Sequence, residues 1–171
     1  PYLIKYLLDN SQKEELKLHI VDLSTNHLLK YQKNDRCRVS SINLSKEEER
    51  DKFISEVDLV ISMLPAKFHI ILAKTCIKFK KNLLTASYVS DEMKTLDNEI
   101  KNNGLLFLNE MGLDPGIDHM SAKKIIDNLI KNGSKINSFK SYTGGLIAPE
   151  SDNNKWNYKF TWNPRNVVLA G

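Results

Sequence analysis

The chain has 171 residues, of which 41% are hydrophobic and 27% charged, with a net charge of +4 and a pI of about 9.0. This length suits one ordinary domain or parts of two, and the composition excludes a disordered or fibrous protein. Its 25 basic and 21 acidic residues are interleaved without a basic stripe, and no apolar run reaches roughly 18 residues, so we expect no nucleic-acid or membrane partner.

Helical and strand patterns then alternate along the chain, which predicts an α/β fold with a parallel sheet. The predicted strands cover residues 16–23, 38–44, 58–64, 83–87 and 105–109. The predicted helices cover residues 2–9 and 26–33, and others begin at Ser45, Pro65 and Ser90.

The pattern changes at Gly112, where a turn rich in glycine and proline precedes a predicted helix over 120–131. Two further strands are predicted, over 135–142 and 156–162. We therefore predict two domains, residues 1–112 and 113–171, with the second one incomplete.

The two cysteines, Cys37 and Cys76, form no CxxC pair, which argues against a zinc site and against a disulfide framework. No other metal-ligand spacing and no Ser/His/Asp triad stands out, so we expect no metal. Buried thiols and the lack of a visible signal peptide favour a cytoplasmic location.

Ligands of open α/β sheets bind beyond the carboxyl ends of the strands, which places the candidate site residues there. Asp22 ends the first strand, and a carboxylate at that position can accept hydrogen bonds from an adenosine ribose and would repel a 2′-phosphate. This favours NAD over NADP, although a helix cap or a solvated turn explains Asp22 equally well.

Two further candidates follow later strands. The hydroxyls of Ser87 and Tyr88 can contact a nicotinamide ring or a substrate carboxylate, or they form a surface turn with a packed tyrosine. Asp114 lies in a tight turn with Asp118 and His119, which suggests a site, or it only caps the helix after Pro115. His69 is interpreted as structural.

The glycine-rich turn that binds a dinucleotide pyrophosphate does not occur in these 171 residues. The chain begins inside the helix that such a turn would precede. We therefore expect the first strand and the turn to lie upstream, and a piece without them to bind pyrophosphate weakly.

Several long motifs, in order, resemble the saccharopine dehydrogenase family of the glutamate-forming type (saccharopine reductases). They are Asp58-Leu-Val-Ile-Ser-Met-Leu-Pro65, Thr85-Ala-Ser-Tyr-Val-Ser90, Asn109-Glu-Met-Gly-Leu-Asp-Pro-Gly-Ile-Asp-His119, Ser141-Tyr-Thr-Gly-Gly-Leu-Ile-Ala-Pro-Glu150 and Tyr158-Lys-Phe-Thr-Trp162. The resemblance extends over essentially the whole chain.

This resemblance implies a Rossmann-type parallel sheet with its first strand missing, followed by the start of a second α/β domain for substrate binding and dimerisation. It implies an NAD(P)-dependent oxidoreductase that acts on the secondary amine of saccharopine. The reaction interconverts saccharopine with L-glutamate and 2-aminoadipate 6-semialdehyde in lysine biosynthesis or degradation. The full-length protein is expected to be a homodimer.

The resemblance also implies roles for individual residues. Tyr88 and Asp114 are the catalytic candidates, and both would bind substrate together with Ser87. The implied cofactor contacts are Asp22, Leu23, Ser24, Asn43, Leu44, Leu64, Ala86, Ser87, Leu113, Asp114, Pro115 and Asn163. Relatives carry Cys where Thr143 stands, so a role for that thiol does not transfer, and several carry Arg where this chain has Leu23, which again favours NAD.

Two alternatives remain open on the sequence. One is a related imine reductase such as a carboxynorspermidine synthase, whose substrate needs fewer cationic anchors than the three carboxylates of saccharopine. The other is a non-catalytic Rossmann-like module. We expect residues 1–171 alone to be inactive.

Overall fold

A computed structural model describes residues 1–142 and 147–159. The chain divides into two compact units, Pro1–Ile125 and Ile126–Gly171. The division falls within the longest helix of the described residues, and the two units are treated separately below.

The first unit alternates helices and strands. Its strands are β1 (Leu18–Asp22), β2 (Cys37–Ser41), β3 (Leu59–Ser62), β4 (Asn82–Thr85) and β5 (Phe107–Leu108). Its helices are α1 (Tyr2–Asp9), α2 (Glu47–Ser55), α3 (His69–Lys78), α4 (Asp91–Thr95), α5 (Asp97–Asn102) and the start of α6 (Ile117–Lys131), and 3₁₀ turns cover Leu29–Lys33 and Ala66–Phe68.

All the strand pairs in the described residues are parallel, as the alternating pattern predicts. β1 pairs with β2 in a two-stranded sheet, with Leu18 opposite Cys37. β4 lies between β3 and β5 in a three-stranded sheet, with Leu59 opposite Asn82. The carboxyl ends of the strands within each sheet therefore meet at one edge, where ligands bind in α/β folds.

One hydrophobic core joins the two sheets. Its centre contains the fully buried Ile54, Ala73 and Cys76, which come from α2 and α3. Val21 from β1 and Val60 from β3 pack on this same cluster. Each Å² of apolar area removed from water stabilises the folded state by about 25 cal/mol. The shared core therefore holds the strand ends of both sheets in place.

The helices predicted to begin at Ser45 and Ser90 differ in how they start. Ser90 caps α4, because its hydroxyl accepts the backbone N–H of Met93 at 3.1 Å. Ser45 makes no such cap, since α2 begins at Glu47. There the carboxylate of Glu49 accepts the backbone N–H of Asn43 at 2.8 Å instead.

The second unit differs from its predicted strands. Residues 135–142 are exposed and form no strand, because in the described residues no neighbouring strand pairs with their backbone groups. Residues 156–159 likewise form no strand, and 160–162 lie outside the described residues. The described part of this unit has the rest of α6 and a 3₁₀ turn at Pro149–Ser151.

Candidate functional site

The segments that follow β4 and β5 are bound to each other. The backbone N–H groups of Glu110 and Met111 donate to the carbonyls of Ser87 and Thr85 at 3.0 and 3.1 Å. The carboxylate of Glu110 also accepts the backbone N–H of Val89 at 3.2 Å. These bonds continue the sheet beyond its last regular pair and fix the backbone of the predicted site residue Ser87.

The turn after β5 is tightly closed on itself. Gly112 donates its N–H to the carbonyl of Pro115 at 2.9 Å, and Ile117 donates to the carbonyl of Gly112 at 2.9 Å. Gly116 has φ +146°, and a Cβ there would lie 2.2 Å from the Gly112 carbonyl oxygen. The peptide bond between Asp114 and Pro115 is cis.

The turn presents Asp114 to solvent. Pro115 and Gly116 are buried, whereas Leu113 and Asp114 are exposed. Because α6 begins at Ile117, Asp114 lies three residues ahead of the helix and not at its N-cap position. Its carboxylate is available to a ligand.

Tyr88 lies close enough to this turn for the charges of its carboxylates to act on the phenol. Desolvation raises the pKa of the Tyr88 phenol, and the negative charges of Asp114, Asp118 and Glu110 raise it further. Tyr88 is 48% exposed, and its phenol stays protonated at neutral pH, so it can donate a hydrogen bond. The structure thus brings the two catalytic candidates, Tyr88 and Asp114, within electrostatic reach of each other.

Asp118 and His119 form a pair at the start of α6. Nδ1 of His119 lies 2.8 Å from the Asp118 carboxylate, which also accepts the N–H of Gly116 at 2.9 Å. Desolvation acts to raise the pKa of the Asp118 carboxyl, but the hydrogen bonds from His119 and Gly116 outweigh it and lower this pKa. Asp118 is therefore a fixed negative charge beside the turn.

A buried hydrogen-bonded cluster lies behind Ser87, and the sequence interpretation missed it. His69 opens α3, and its Nδ1 lies 3.0 Å from the hydroxyl of Ser62. Its Nε2 lies 2.8 Å from Ser87 Oγ and 3.0 Å from Thr85 Oγ1. Desolvation lowers the pKa of the ring, which favours the neutral form.

The predicted ribose-binding residues follow β1 and are exposed. Asp22, Leu23 and Ser24 are all exposed, and the Asp22 carboxylate accepts the backbone N–H of Ser24 at 3.0 Å. The Ser41 hydroxyl donates to the carbonyl of Leu23 at 2.9 Å. Asp22 therefore closes a local turn at the strand end and still leaves its second oxygen to solvent.

Asn43 and Leu44 follow β2 beside this turn. The side-chain oxygen of Asn43 accepts the N–H of Ser45 at 3.1 Å. Arg50 of α2 donates to the Leu44 carbonyl at 3.0 Å and to the Thr75 hydroxyl at 2.8 Å, which ties this loop to α3. The side chains of Asn43, Glu49 and Arg50 thus hold the loop backbone.

The remaining cofactor candidates have different surroundings. Leu44 and Leu64 pack on the shared core, so only part of each side chain is accessible. Ala86 lies against the turn, since a Cβ on Gly112 would be 3.3 Å from its methyl group. Asn163 lies outside the described residues.

These residues fit the ribose and nicotinamide ends of a dinucleotide. A carboxylate stands at the end of β1, and hydroxyl groups stand at the end of β4, as in dinucleotide folds. This sequence has no glycine-rich turn, so no residue of it is assigned to the pyrophosphate.

The described residues contain neither a metal-binding group nor a membrane-spanning helix. Across 1–142 and 147–159, no group of three or more His, Cys, Asp or Glu side chains is placed to hold a metal ion. Over the same ranges, no helix combines the length and apolar character that crossing a membrane requires.

Parallel strands with polar side chains beyond their carboxyl ends define a Rossmann-like α/β protein. Residues 2–108 match the family described as saccharopine dehydrogenase NADP binding domain, and residues 112–171 match the saccharopine dehydrogenase C-terminal domain. The chain belongs to the saccharopine dehydrogenase family.

Curated relatives and a solved structure agree with this assignment. The chain is 49% identical to an alpha-aminoadipic semialdehyde synthase of Arabidopsis thaliana over 76% of its own length and 12% of the relative's. It is 43% identical to the NADP(+), L-glutamate-forming saccharopine dehydrogenase of Saccharomyces cerevisiae, over 76% of this chain and 29% of the relative.

The solved apo structure of the L-Glu-forming saccharopine dehydrogenase from S. cerevisiae superposes with a TM-score of 0.78 at 34% identity. The match covers 99% of this chain and 38% of that one. It shows the same Rossmann-like fold, while the chain spans well under half the length of these relatives.

Proposed function

We propose that the protein carrying this chain is an NAD(P)-dependent oxidoreductase that acts on the secondary amine of saccharopine. It interconverts saccharopine with L-glutamate and 2-aminoadipate 6-semialdehyde, in lysine metabolism. The observation that carries the proposal is the placement of Ser87 and Tyr88, at the end of β4, in the field of the turn that exposes Asp114.

The charge of this region suits an amine substrate. Three carboxylates, those of Glu110, Asp114 and Asp118, act on Tyr88, and a secondary ammonium group is complementary to them. We assign the neutral Tyr88 phenol and the Asp114 carboxylate to orienting the substrate nitrogen and to moving its proton. Ser87 is assigned a contact to substrate or cofactor beside them.

Ser87, Tyr88 and Asp114 would lie beside a bound nicotinamide ring, which would supply the acceptor for the hydride of the carbon next to this nitrogen. Water then hydrolyses the resulting C=N bond to release an amine and an aldehyde. The residues of this chain orient the nitrogen and exchange its proton during both steps.

For the cofactor we propose NADP, in place of the NAD that the sequence favoured. The matched domain is described as NADP binding, and the yeast relative is named NADP(+)-dependent. Because Asp22 closes a turn with Ser24, its position at the strand end has a structural role that does not require a ribose. The contacts proposed for NADP are Leu23, Ser24, Asn43, Leu44, Leu64, Ala86, Ser87, Leu113, Asp114, Pro115 and Asn163. Asp22 is a contact only if the cofactor is NAD, because its carboxylate would repel a 2′-phosphate.

Two further assignments belong to the proposal. We propose a boundary between cofactor and substrate domains close to residues 112 and 113, and a homodimer of the full-length protein. A cytoplasmic location stays a prediction, since a bovine relative at 42% identity is named mitochondrial.

The test is saccharopine-dependent reduction of NADP and, separately, of NAD by the full-length protein. Turnover that is faster with NADP supports the whole proposal. Turnover mainly with NAD keeps the reaction and restores the ribose role of Asp22. A folded protein without turnover on saccharopine that reduces an imine substrate of the carboxynorspermidine type contradicts the proposed substrate, and no dehydrogenase activity at all favours a non-catalytic module.

A further inference from the structure

Glu110 is hydrogen-bonded to the peptide groups on both sides of Tyr88. Its backbone N–H donates to the carbonyl of Ser87 at 3.0 Å, and its carboxylate accepts the backbone N–H of Val89 at 3.2 Å. Tyr88 itself is 48% exposed, so its side chain packs on little that would fix its position. The two bonds from Glu110 therefore restrain the backbone from which the phenol extends.

Glu110 also borders the turn that exposes Asp114. A Cβ on Gly116 would lie 2.7 Å from the backbone carbonyl oxygen of Glu110, so the two backbones lie close together. Glu110 is half-buried there. It thus adjoins both segments that carry the catalytic candidates, the one with Tyr88 and the one with Asp114.

The backbone of Glu110 is strained. Its φ is +61°, which lies in the left-handed region where a Cβ approaches the carbonyl oxygen and glycine is favoured. A residue with a Cβ keeps this conformation only where its surroundings hold it, and such residues are common at functional sites. Glycine would remove the strain at this position, but it would also remove the carboxylate that accepts the Val89 N–H.

We propose that Glu110 is a positioning residue, which holds Tyr88 beside Asp114 through its bonds to Ser87 and Val89. The role belongs to the oxygen that accepts the Val89 N–H, and the negative charge of the carboxylate acts separately, on the cationic substrate. This inference rests on the proposed function for the reaction that Tyr88 and Asp114 carry out. The hold on Val89 does not depend on it.

Glu110→Gln and Glu110→Ala separate the hydrogen bond from the charge. The amide oxygen of Gln can still accept the Val89 N–H, whereas Ala has no acceptor. We expect Glu110→Ala to lower kcat by about 10- to 100-fold, because a displacement of roughly 1 Å at a reacting site can cost that much. Glu110→Gln should keep kcat within about threefold of wild type, since a neutral acceptor makes a somewhat weaker bond.

Both variants lose the charge, so both should raise the KM for saccharopine by a similar factor. Equal losses of kcat in the two variants would assign the effect to the charge and overturn the inference. A double-mutant cycle with Tyr88→Phe shows whether Glu110 acts through the phenol. If it does, Glu110→Ala has little further effect on kcat once Tyr88 is phenylalanine, and additive losses overturn the positioning role.

Glu110→Gly distinguishes positioning from a purely structural role. Because glycine relieves the backbone strain, we expect this variant to melt at a higher temperature than Glu110→Ala while its kcat is equally low. Recovery of kcat together with stability overturns the inference. Should Glu110→Ala fail to fold, Glu110→Gly takes its place in each comparison.

Lys80→Gly is the matched control for the relief of strain. Lys80 has φ +53° and is exposed, and it precedes β4 at the opposite end of that strand from Tyr88. Glycine there should raise the melting temperature and leave kcat unchanged. A fall of kcat in Lys80→Gly like that in Glu110→Gly would show that the loss does not depend on the bond to Val89, and it overturns the inference.

Hydrogen–deuterium exchange of the full-length protein, followed by mass spectrometry, measures the hold on Val89 without turnover. We expect the Val89 amide to exchange faster in Glu110→Ala and Glu110→Gly than in wild type and Glu110→Gln. Equal exchange in all four proteins overturns the inference. A protein that shows the expected exchange but does not oxidise saccharopine contradicts the proposed function alone, and an active protein whose kcat is unchanged in Glu110→Ala contradicts the positioning role alone.

Discussion

Tyr88 illustrates how single residues acquire their properties from the turn that faces them. Its pKa is raised by desolvation first and then by Asp114, Asp118 and Glu110. Replacing Asp114 with Asn removes one negative charge, so the pKa of Tyr88 should fall toward its ordinary value while the phenol remains neutral at neutral pH. Titration of ¹³C-labelled tyrosine by NMR, with Tyr88→Phe to assign the signal, measures this shift.

The same two substitutions test the catalytic assignment. We expect Tyr88→Phe and Asp114→Asn each to lower kcat by about 100-fold or more, the usual contribution of a positioned proton-transfer group. Glu92→Gln is the matched control, because Glu92 is exposed on α4 and outside this region. Unchanged kcat in both site variants, in folded protein, would contradict the roles assigned to Tyr88 and Asp114.

At this scale the sequence selected candidates whose roles stay predictions. Tyr88 and Asp114 were selected from their places beyond strand ends and from the motifs that resemble a known family. His69 was interpreted as structural, because no sequence rule states that Ser62, Thr85 and Ser87, which come from two strands, meet at one ring. The available signal was a histidine just after Pro65, with hydroxyl residues at both strand ends.

Among the elements, the turn at 112–118 depends most strictly on one residue. Gly116 has φ +146°, and a Cβ there would meet backbone atoms of Gly112 at 2.2 and 2.6 Å. We expect Gly116→Ala to lower the free energy of unfolding by at least about 3 kcal/mol and to displace Asp114. Denaturant unfolding and the activity assay measure the two effects.

Gly104→Ala is the control for this prediction. Gly104 has φ +66° and open space where its Cβ would lie, so alanine should cost only about 1 kcal/mol, the backbone penalty alone. Equal losses of stability in the two variants would show that the closeness of the Gly112 backbone has no effect on the turn.

The loop after β2 depends on a buried arginine. Arg50 is 8% exposed and links the Leu44 carbonyl to Thr75 of α3. We expect Arg50→Met to cost about 1–3 kcal/mol, because it leaves a carbonyl and a hydroxyl without their donor, and to weaken NADP binding through the displaced loop. Lys52→Met, at an exposed position of the same helix, should change stability by less than about 0.5 kcal/mol.

If Arg50→Met lowers stability but leaves the NADP dissociation constant unchanged, Asn43 and Leu44 do not contact the cofactor.

The strands of the first unit were largely predictable, since each of β1 to β5 overlaps a predicted strand, although β2 and β4 begin one residue earlier than predicted. The strand predicted at 135–142 was wrong because a strand needs a partner, and local pattern does not reveal whether one is present.

At the scale of the whole molecule, the parallel α/β order followed from the alternation of helices and strands, whereas the pairing of β1 with β2 in one sheet and β3 to β5 in another did not. Strand order depends on contacts between distant segments, and periodicity carries no information on them. The shared core explains how two sheets still form one unit, since α2 and α3 pack against both.

The last prediction concerns residues 1–171 taken alone. They cover 12% of the plant relative and 29% of the yeast relative, and several apolar side chains of α6 are exposed, including Ile117, Ile125 and Ile130. We expect this piece to bind the dye ANS and to oxidise saccharopine at least about 1,000-fold more slowly than the full-length protein, because orienting a substrate requires the complete set of contacts.

Circular dichroism of residues 1–171 shows whether an inactive piece is folded. The substitution Ile130→Lys tests whether the exposed apolar side chains of α6 bind the dye. Because Ile130 is 58% exposed, lysine there should reduce ANS binding without loss of helix. Robust saccharopine turnover by residues 1–171 would contradict the prediction, and it would mean that Tyr88, Asp114 and their neighbours suffice for the reaction.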